Sequence, residues 1–116
     1  MPTDRLSLTF SALSDPIRRA ILAHLARGER SVNELAKPFK ISLPGISRHL
    51  KVLERAGLIS RSRQAQARPC TLEVAPLNQA AEWLDRYRRA SVDRLDRLGA
   101  YLETLQRQEK THGRKQ

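Results

Sequence analysis

Two short helices, each with its own start signal, are predicted in the middle of the chain, and they constrain the fold more than any other feature. The first begins at Ser31, which forms a Ser-x-x-Glu capping box with Glu34, and it ends at Pro38. The second is capped by Ser42 and is expected to run to about Ala56. Two short helices joined by roughly three or four residues are typical of a helix-turn-helix motif.

The first turn of the second helix is unusual, because it contains Pro44 and Gly45. Proline is tolerated in a first turn, where its missing N–H has no intrahelical partner. Glycine gives up about 1 kcal/mol relative to alanine in a helix. Two explanations for Gly45 stay open at this point. Either DNA approaches the helix here and a bulky side chain would hold the backbone off the bases, or glycine lets this helix pack closely on the preceding helix.

This second helix has an apolar face and an opposite basic face. At about 100° per residue, Ile46, Leu50 and Leu53 lie on the inward side. Arginine can bind guanine through two hydrogen bonds, and lysine binds phosphate, so the opposite side is suited to a major groove. That outward side carries Pro44, Arg48, Lys51 and Arg55, with Ser47 beside them.

The net charge also favours a polyanionic partner. The chain has 22 Lys and Arg residues against 12 Asp and Glu residues, a formal charge of +10. Residues 42–74 carry six of the basic and two of the acidic side chains, whereas residues 75–109 carry six of each. Double-stranded DNA is therefore favoured over an anionic membrane surface. No apolar run approaches the ~20 residues of a membrane span, so we expect a soluble chain with no membrane partner.

The flanking segments predict two more helices and a hairpin. A short helix lies near the start of the chain, and a second, over residues 14–28, is capped by Ser14 or Asp15. Alternation over residues 58–63 and 70–74 predicts a two-stranded hairpin with a mobile tip. Arginines on such an arm can reach the minor groove or the DNA backbone. The hairpin arginines are Arg61, Arg63 and Arg68.

Residues 76–109 are predicted to form one long helix with an apolar stripe. A helix of this length outruns the core of a small domain, so we expect a second copy of the chain to cover the spare stripe. The alternative is a helix that lies wholly on its own domain. Residues 110–116 form a polar, basic tail that we expect to be disordered. The stripe contains Leu77, Ala80, Ala81, Leu84, Tyr87, Val92, Leu95, Leu98, Leu102 and Leu105.

The residues needed for catalysis or metal binding are not arranged in known motifs. The chain has no nucleophile motif and no glycine-rich phosphate loop, so we expect neither an enzyme nor a cofactor. Its histidines, His24, His49 and His112, lie on different segments without a second ligand at metal-binding spacing. Cys70, the single cysteine, lies on the apolar side of its strand. We therefore favour a buried thiol over a redox switch in which two copies pair.

Three runs of the sequence together resemble the ArsR/SmtB family of bacterial winged-helix repressors. They are FSALSDPIRRAILAHLARGERSVNELA, SLPGISRHLKVLERAGLI and RPCTLEVAPLNQAAEWLDRY, and the likeness spans roughly residues 6–105. The resemblance implies a mainly α winged helix-turn-helix domain, about five helices with a small β-hairpin, over residues 1–109. It also implies a cytoplasmic, nucleoid-associated homodimer that represses transcription from an imperfect palindromic operator and leaves it when a signal arrives.

The family's functional positions can be placed on this sequence residue by residue. Recognition-helix contacts to DNA map onto Ser42, Pro44, Gly45, Ser47, Arg48, His49 and Lys51. Wing contacts map onto Arg61, Arg63 and Arg68. Contacts of the first and last helices in the dimer map onto Leu6, Leu8, Leu84, Tyr87, Val92, Leu95, Leu98, Leu102 and Leu105.

The sequence departs from the metal-sensing members of the family. Residues 34–38 read ELAKP, without the cysteines of the family's metal motif, and Asp93 and Asp96 have no histidine partner at the matching spacing. The metal-free branch is therefore the better match, with an unknown effector, and Ala90 and Ser91 stand where that branch often has large aromatics. Two other interpretations stay open: a protein-interaction module that docks an acidic partner, and an architectural or plasmid-maintenance DNA-binding module without operator specificity.

Overall fold

The computed structural model describes residues 4–62 and 68–114, which contain five α-helices and one antiparallel hairpin. The prediction of a mainly α fold with a small hairpin is confirmed. The elements are α1 (Arg5–Leu13), α2 (Pro16–Leu25), α3 (Val32–Ala36), α4 (Leu43–Arg55), β1 (Ile59–Arg61), β2 (Cys70–Leu72) and α5 (Ala75–Arg114).

The first four helices begin at side-chain caps. The Asp15 carboxylate accepts the Arg18 backbone N–H at 3.0 Å, so Asp15 rather than Ser14 caps α2, and Pro16 follows at the first helical position. The caps of α1 and α4 are Asp4 and Ser42. The hydrogen bond from Arg18 is the main reason why the pKa of Asp15 lies below its ordinary value. Local polar side chains thus fix where each helix starts.

The predicted capping box at the start of α3 is confirmed. The Glu34 backbone N–H donates to the Ser31 hydroxyl at 3.2 Å, and the Ser31 backbone N–H donates to the Glu34 carboxylate at 3.2 Å. The hydrogen bond from the Ser31 backbone lowers the pKa of Glu34. The helix ends at Ala36, and the turn that follows leads to Ser42.

Helix α4 is the centre of the core. It contacts α1, α2, α3 and β1, and its inward residues Ile46, Leu50 and Leu53 are fully buried, as predicted. Burying an aliphatic side chain of this size contributes roughly 1.5–3 kcal/mol. Because α4 is held on several sides, its opposite face has a fixed direction. The side chains buried around it include Ala12, Ile21, Leu22, Leu25, Leu35, Ala56, Leu58, Ile59 and Cys70.

The hairpin pairs β1 with β2, with Arg61 opposite Cys70. The strands are shorter than the alternation predicted, because β2 ends at Leu72 and Val74 is 55% exposed instead of facing the core. On its other side Cys70 pairs with Arg30: the Cys70 N–H donates to the Arg30 carbonyl at 2.7 Å, and the Arg30 N–H donates back at 3.2 Å. The first residue of β2 is thus tied to the segment between α2 and α3.

The last helix is longer than predicted. It continues to Arg114, so the segment 110–114, which we expected to be disordered, is helical; residues 115–116 lie outside the described residues. The predicted end of the helix, Glu109, is not followed directly by a proline or a glycine that would stop it. The described residues up to Ala81 form one compact unit, and those from Glu82 onward form a second.

Candidate nucleic-acid interface

The outward face of α4 is a basic surface. Arg48, Lys51 and Arg55 are all exposed, and none of them forms an ion pair with residues 4–62 or 68–114. Three cations without carboxylate partners keep their full attraction for an anion. The face predicted from helical periodicity is therefore present, and the burial of Ile46 and Leu50 opposite it fixes its direction.

The N-terminal end of α4 is capped and exposed. The Gly45 backbone N–H donates to the Ser42 hydroxyl at 3.3 Å, and Ser42 and Pro44 are both exposed. Leu43 is 52% exposed beside them. Periodicity could not predict this exposure, because Leu43 lies only about 20° round the helix from the buried Leu50. An exposed apolar group at the end of a basic helix can contact a thymine methyl group.

Gly45 faces its own chain closely. A β-carbon at this position would lie 2.6 Å from Cγ2 of Ile41 and 3.4 Å from the Ser42 hydroxyl oxygen. The first distance is far below van der Waals contact. Of the two explanations that the sequence left open, close packing thus has a concrete neighbour, although it is the preceding turn and not the preceding helix.

His49 is partly engaged inside the protein. The family resemblance predicts that His49 contacts DNA, but its Nδ1 lies 3.3 Å from Nη1 of Arg18 and 3.9 Å from Oδ2 of Asp15. Both partners belong to the start of α2. His49 therefore lies on the flank of the basic face, with one ring nitrogen turned towards the protein.

Two arginines at the start of α2, Arg18 and Arg19, contact the end of α1 and are absent from the residues predicted to bind DNA. The Arg18 guanidinium donates from Nε to the Ala12 carbonyl at 2.8 Å and from Nη2 to the Ser11 carbonyl at 3.1 Å. Arg19 donates to the Leu13 carbonyl at 2.7 Å. These carbonyls lie in the last turn of α1, and the Ser11 carbonyl also accepts the backbone N–H and the hydroxyl of Ser14. Basic side chains close in sequence to a helix C-terminus are the available sequence signal for such a cap.

The wing arginines differ in their surroundings. Arg68 is exposed at a left-handed φ of 43°, whereas Arg61 is half-buried next to Cys70. Burial raises the pKa of the Cys70 thiol, and the nearby Arg61 guanidinium opposes that rise. Glu54, Arg61, Ser62 and Arg68 line a recess beside the end of β1. Arg63 and the tip of the hairpin lie outside the described residues.

The predicted dimer residues fall into two groups. Leu6 and Leu8 on α1 are half-buried, and Leu8 packs against the core. On α5 from Glu82 onward, the predicted stripe is an exposed apolar surface: Leu95 is 64% exposed and Leu98 is 52% exposed. The other exposed members are Leu84, Tyr87, Val92, Leu102 and Leu105.

Neither a metal site nor a membrane-spanning helix is found in the part of the chain that the structure describes. Among these residues, no three His, Cys, Asp or Glu side chains come together as a metal site requires. Within the same residues, no helix combines the length and the apolar character needed to cross a bilayer.

Comparisons with known proteins decide the family. A family described as a helix-turn-helix domain matches residues 13–61. The transcriptional repressor SdpR of Bacillus subtilis is 39% identical over 75 residues, which cover 65% of this chain and 83% of that protein. The solved structure of an ArsR family transcriptional regulator, RHA00566, superposes with a TM-score of 0.72 at 39% identity, covering 75% of this chain and 96% of that one. The chain belongs to the ArsR/SmtB family of helix-turn-helix transcriptional repressors.

A further ArsR-type structure is similar over most of its length. The homodimeric winged helix-turn-helix DNA-binding domain of Mb0332 from Mycobacterium bovis, described as a possible ArsR-family regulator, has a TM-score of 0.60 at 25% identity. The match covers 72% of this chain and 79% of that domain. The winged helix-turn-helix fold expected of an ArsR/SmtB protein is thereby confirmed, with α3 and α4 as the helix-turn-helix and the β1–β2 hairpin as the wing.

Proposed function

We propose that this protein is a homodimeric repressor that binds an imperfect palindromic operator through α4 and the wing. The observation that carries the proposal is the exposed, unpaired face of Arg48, Lys51 and Arg55 on a helix whose opposite side is fully buried. Such a helix fits the major groove of B-DNA, which admits one α-helix. Its exposed N-terminal residues Leu43 and Pro44 would lie towards the base edges.

Within this proposal the residues divide into two roles. Arg48, with Ser47 beside it, reads base edges, whereas Lys51, Arg55 and Arg68 bind phosphate and supply affinity without sequence preference. Ser42, Gly45 and the helix N-terminus position the backbone close to the DNA. Arg61 and Arg63 complete the wing contact, and His49 reaches DNA from the flank of α4.

The second copy is proposed to cover the exposed stripe of α5. A row of large apolar side chains on one side of a charged helix is the surface that a self-pairing helix needs. The dimer would place its two α4 helices in successive major grooves about 34 Å apart, so the operator would have two-fold symmetry. The repressor role supports a location in the cytoplasm together with the DNA, and ELAKP at residues 34–38 fits a metal-free sensor.

A gel-shift experiment with duplexes from the protein's own upstream region tests the proposal. We expect one duplex to bind much more tightly than a random duplex of equal length, with a footprint of two half-sites. Failure to bind any of these duplexes at low salt would overturn the proposal. Equal binding to operator and random duplex would favour the protein-interaction module, and extended protection would favour the architectural module.

A further inference from the structure

Arg18 connects three helices through one side chain. It lies on α2, its Nε and Nη2 donate to the last carbonyls of α1, and its Nη1 lies 3.3 Å from Nδ1 of His49 on α4. The guanidinium group is planar, so the carbonyl bonds hold Nη1 in one direction. The contact with His49 is therefore directed and not the chance approach of a flexible cation.

This contact determines where the proton of His49 resides. An arginine side chain has five N–H donors and no acceptor, so Nδ1 of His49 must supply the lone pair. In a neutral imidazole the single proton then lies on Nε2. The Asp15 carboxylate is 3.9 Å from Nδ1, too far for a hydrogen bond that would favour the other tautomer.

The second ring nitrogen of His49 is left available. No residue in 4–62 or 68–114 accepts a hydrogen bond from Nε2, and the side chain is 21% exposed. At about 100° per residue, His49 lies one step round α4 from the exposed Arg48, on the side where its ring meets Arg18 of α2. A donor in that place lies beside the groove rather than in it, where the DNA backbone passes.

We propose that Arg18 is a positioning residue for DNA recognition: it holds His49 as the Nε2–H tautomer, and His49 donates that hydrogen to a phosphate oxygen. The inference rests on the proposed DNA-binding function and adds one directed contact to it. A contact with phosphate helps to fix the angle of α4 in the groove. Because phosphate carries no sequence information, the contact strengthens binding to every duplex alike.

The tautomer is measured first, on the free protein. Nitrogen-15 NMR of the His49 ring at about pH 8.5, where free imidazole is neutral, should show the proton on Nε2 in the wild type. Arg18→Met should give a mixture of the two tautomers. Arg19→Met is the matched control, because Arg19 also caps α1 through the Leu13 carbonyl but does not touch His49. An unchanged tautomer in Arg18→Met, or an equal change in Arg19→Met, would overturn the inference.

Affinity for the operator and for a random duplex is measured next. His49→Ala should weaken both duplexes by about tenfold, as expected for one hydrogen bond to a charged group. Arg18→Met should weaken both by about two- to fivefold, because only part of its tautomer mixture presents the Nε2 hydrogen. The double variant should lose no more than His49→Ala alone. His49→Gln should recover part of the affinity, because its amide nitrogen can donate from nearly the place of Nε2. If Arg18→Met is too unstable to study, His49→Ala and His49→Gln still decide whether Nε2 is used.

The outcomes separate this inference from the proposed function. A wild-type protein that binds no duplex contradicts the proposed function, whatever the tautomer. A wild-type protein that binds DNA while Arg18→Met and His49→Ala bind as well contradicts only the role of Arg18 and His49. A loss in Arg19→Met equal to that in Arg18→Met would show that capping of α1, and not the contact with His49, supports binding.

Discussion

Cγ2 of Ile41 occupies the space next to Gly45, 2.6 Å from where a β-carbon would lie. The turn between α3 and α4 is therefore packed against the first turn of α4, and glycine is needed for that packing. Gly45 is helical, with no left-handed φ, so the requirement is one of space and not of backbone conformation.

Gly45→Ala is expected to lower the free energy of unfolding by about 1 kcal/mol, because overpacking costs about 1–3 kcal/mol and outweighs the gain of about 1 kcal/mol in helix propensity. In an Ile41→Ala background the clash is absent, and the same change should be stabilising. Urea unfolding of the four proteins measures both effects. An equal effect in the two backgrounds would contradict the packing explanation. Loss of operator binding by a stable double variant would show that DNA also approaches Gly45.

Arg48→Ala should lower the preference for operator over random duplex by about tenfold, since a bidentate base contact contributes about 1–3 kcal/mol of discrimination. Arg68→Ala is the comparison on the wing. It should weaken both duplexes equally and reduce the slope of log affinity against log salt by about 1. Titrations at several salt concentrations measure both quantities. A uniform loss in both variants would contradict the division between base and phosphate contacts.

Leu98→Glu should dissociate the dimer, because it places a carboxylate in the exposed apolar stripe of α5. Gln108→Glu is the control, since it adds the same charge to the same helix outside the stripe. Sedimentation equilibrium should find a monomer only for Leu98→Glu, and operator affinity should fall with it. A dimer that survives Leu98→Glu would mean that the two copies meet elsewhere.

Acid should weaken the start of α3 through Glu34. Its pKa is lowered in the folded protein, mainly by the hydrogen bond from the Ser31 backbone, so its stabilising effect is complete above the ordinary value of 4.5 and is lost as the pH falls below it. Glu34→Gln keeps an acceptor for Ser31 but does not titrate. Urea unfolding between about pH 3 and pH 6 should therefore show a shallower decline for Glu34→Gln. Parallel curves for the two proteins would contradict this role.

Cys70 should react slowly with thiol reagents in the folded protein. Its side chain is 0% exposed, and burial raises the pKa of its thiol, so little reactive thiolate is present. Labelling at about pH 8 should accelerate strongly when urea unfolds the chain. Fast labelling without urea, or a disulfide-linked dimer on a non-reducing gel after oxidation, would support the redox switch instead.

Much of this fold was predictable, because its signals are local. Ser31 and Glu34 are three residues apart, and the apolar period of α4 is read within one helix. The direction of the basic face then followed from the burial of Ile46 and Leu50 on the other side. Helix caps and the apolar period of a single helix can be predicted from neighbouring residues alone, without the rest of the chain.

The missed features depend on residues far apart in sequence or on side-chain direction. The contact between Arg18 and His49 joins two helices, and its geometry arises only after α2 and α4 have packed. The neighbour of Gly45 could not be named, because the path of the turn through Ile41 decides it. The end of α5 was placed too early because a polar, basic segment is compatible with both helix and disorder, and composition does not separate the two.

The bridge between Arg30 and Cys70 has a consequence for the path of the chain. Arg30 directly precedes Ser31, the cap of α3, and Cys70 is the first residue of β2, so α3, α4 and β1 all lie between two residues that are hydrogen-bonded to each other. In this protein, the helix proposed to read DNA therefore belongs to a loop of chain that two backbone hydrogen bonds close. Opening either end of that loop breaks the same pair of bonds.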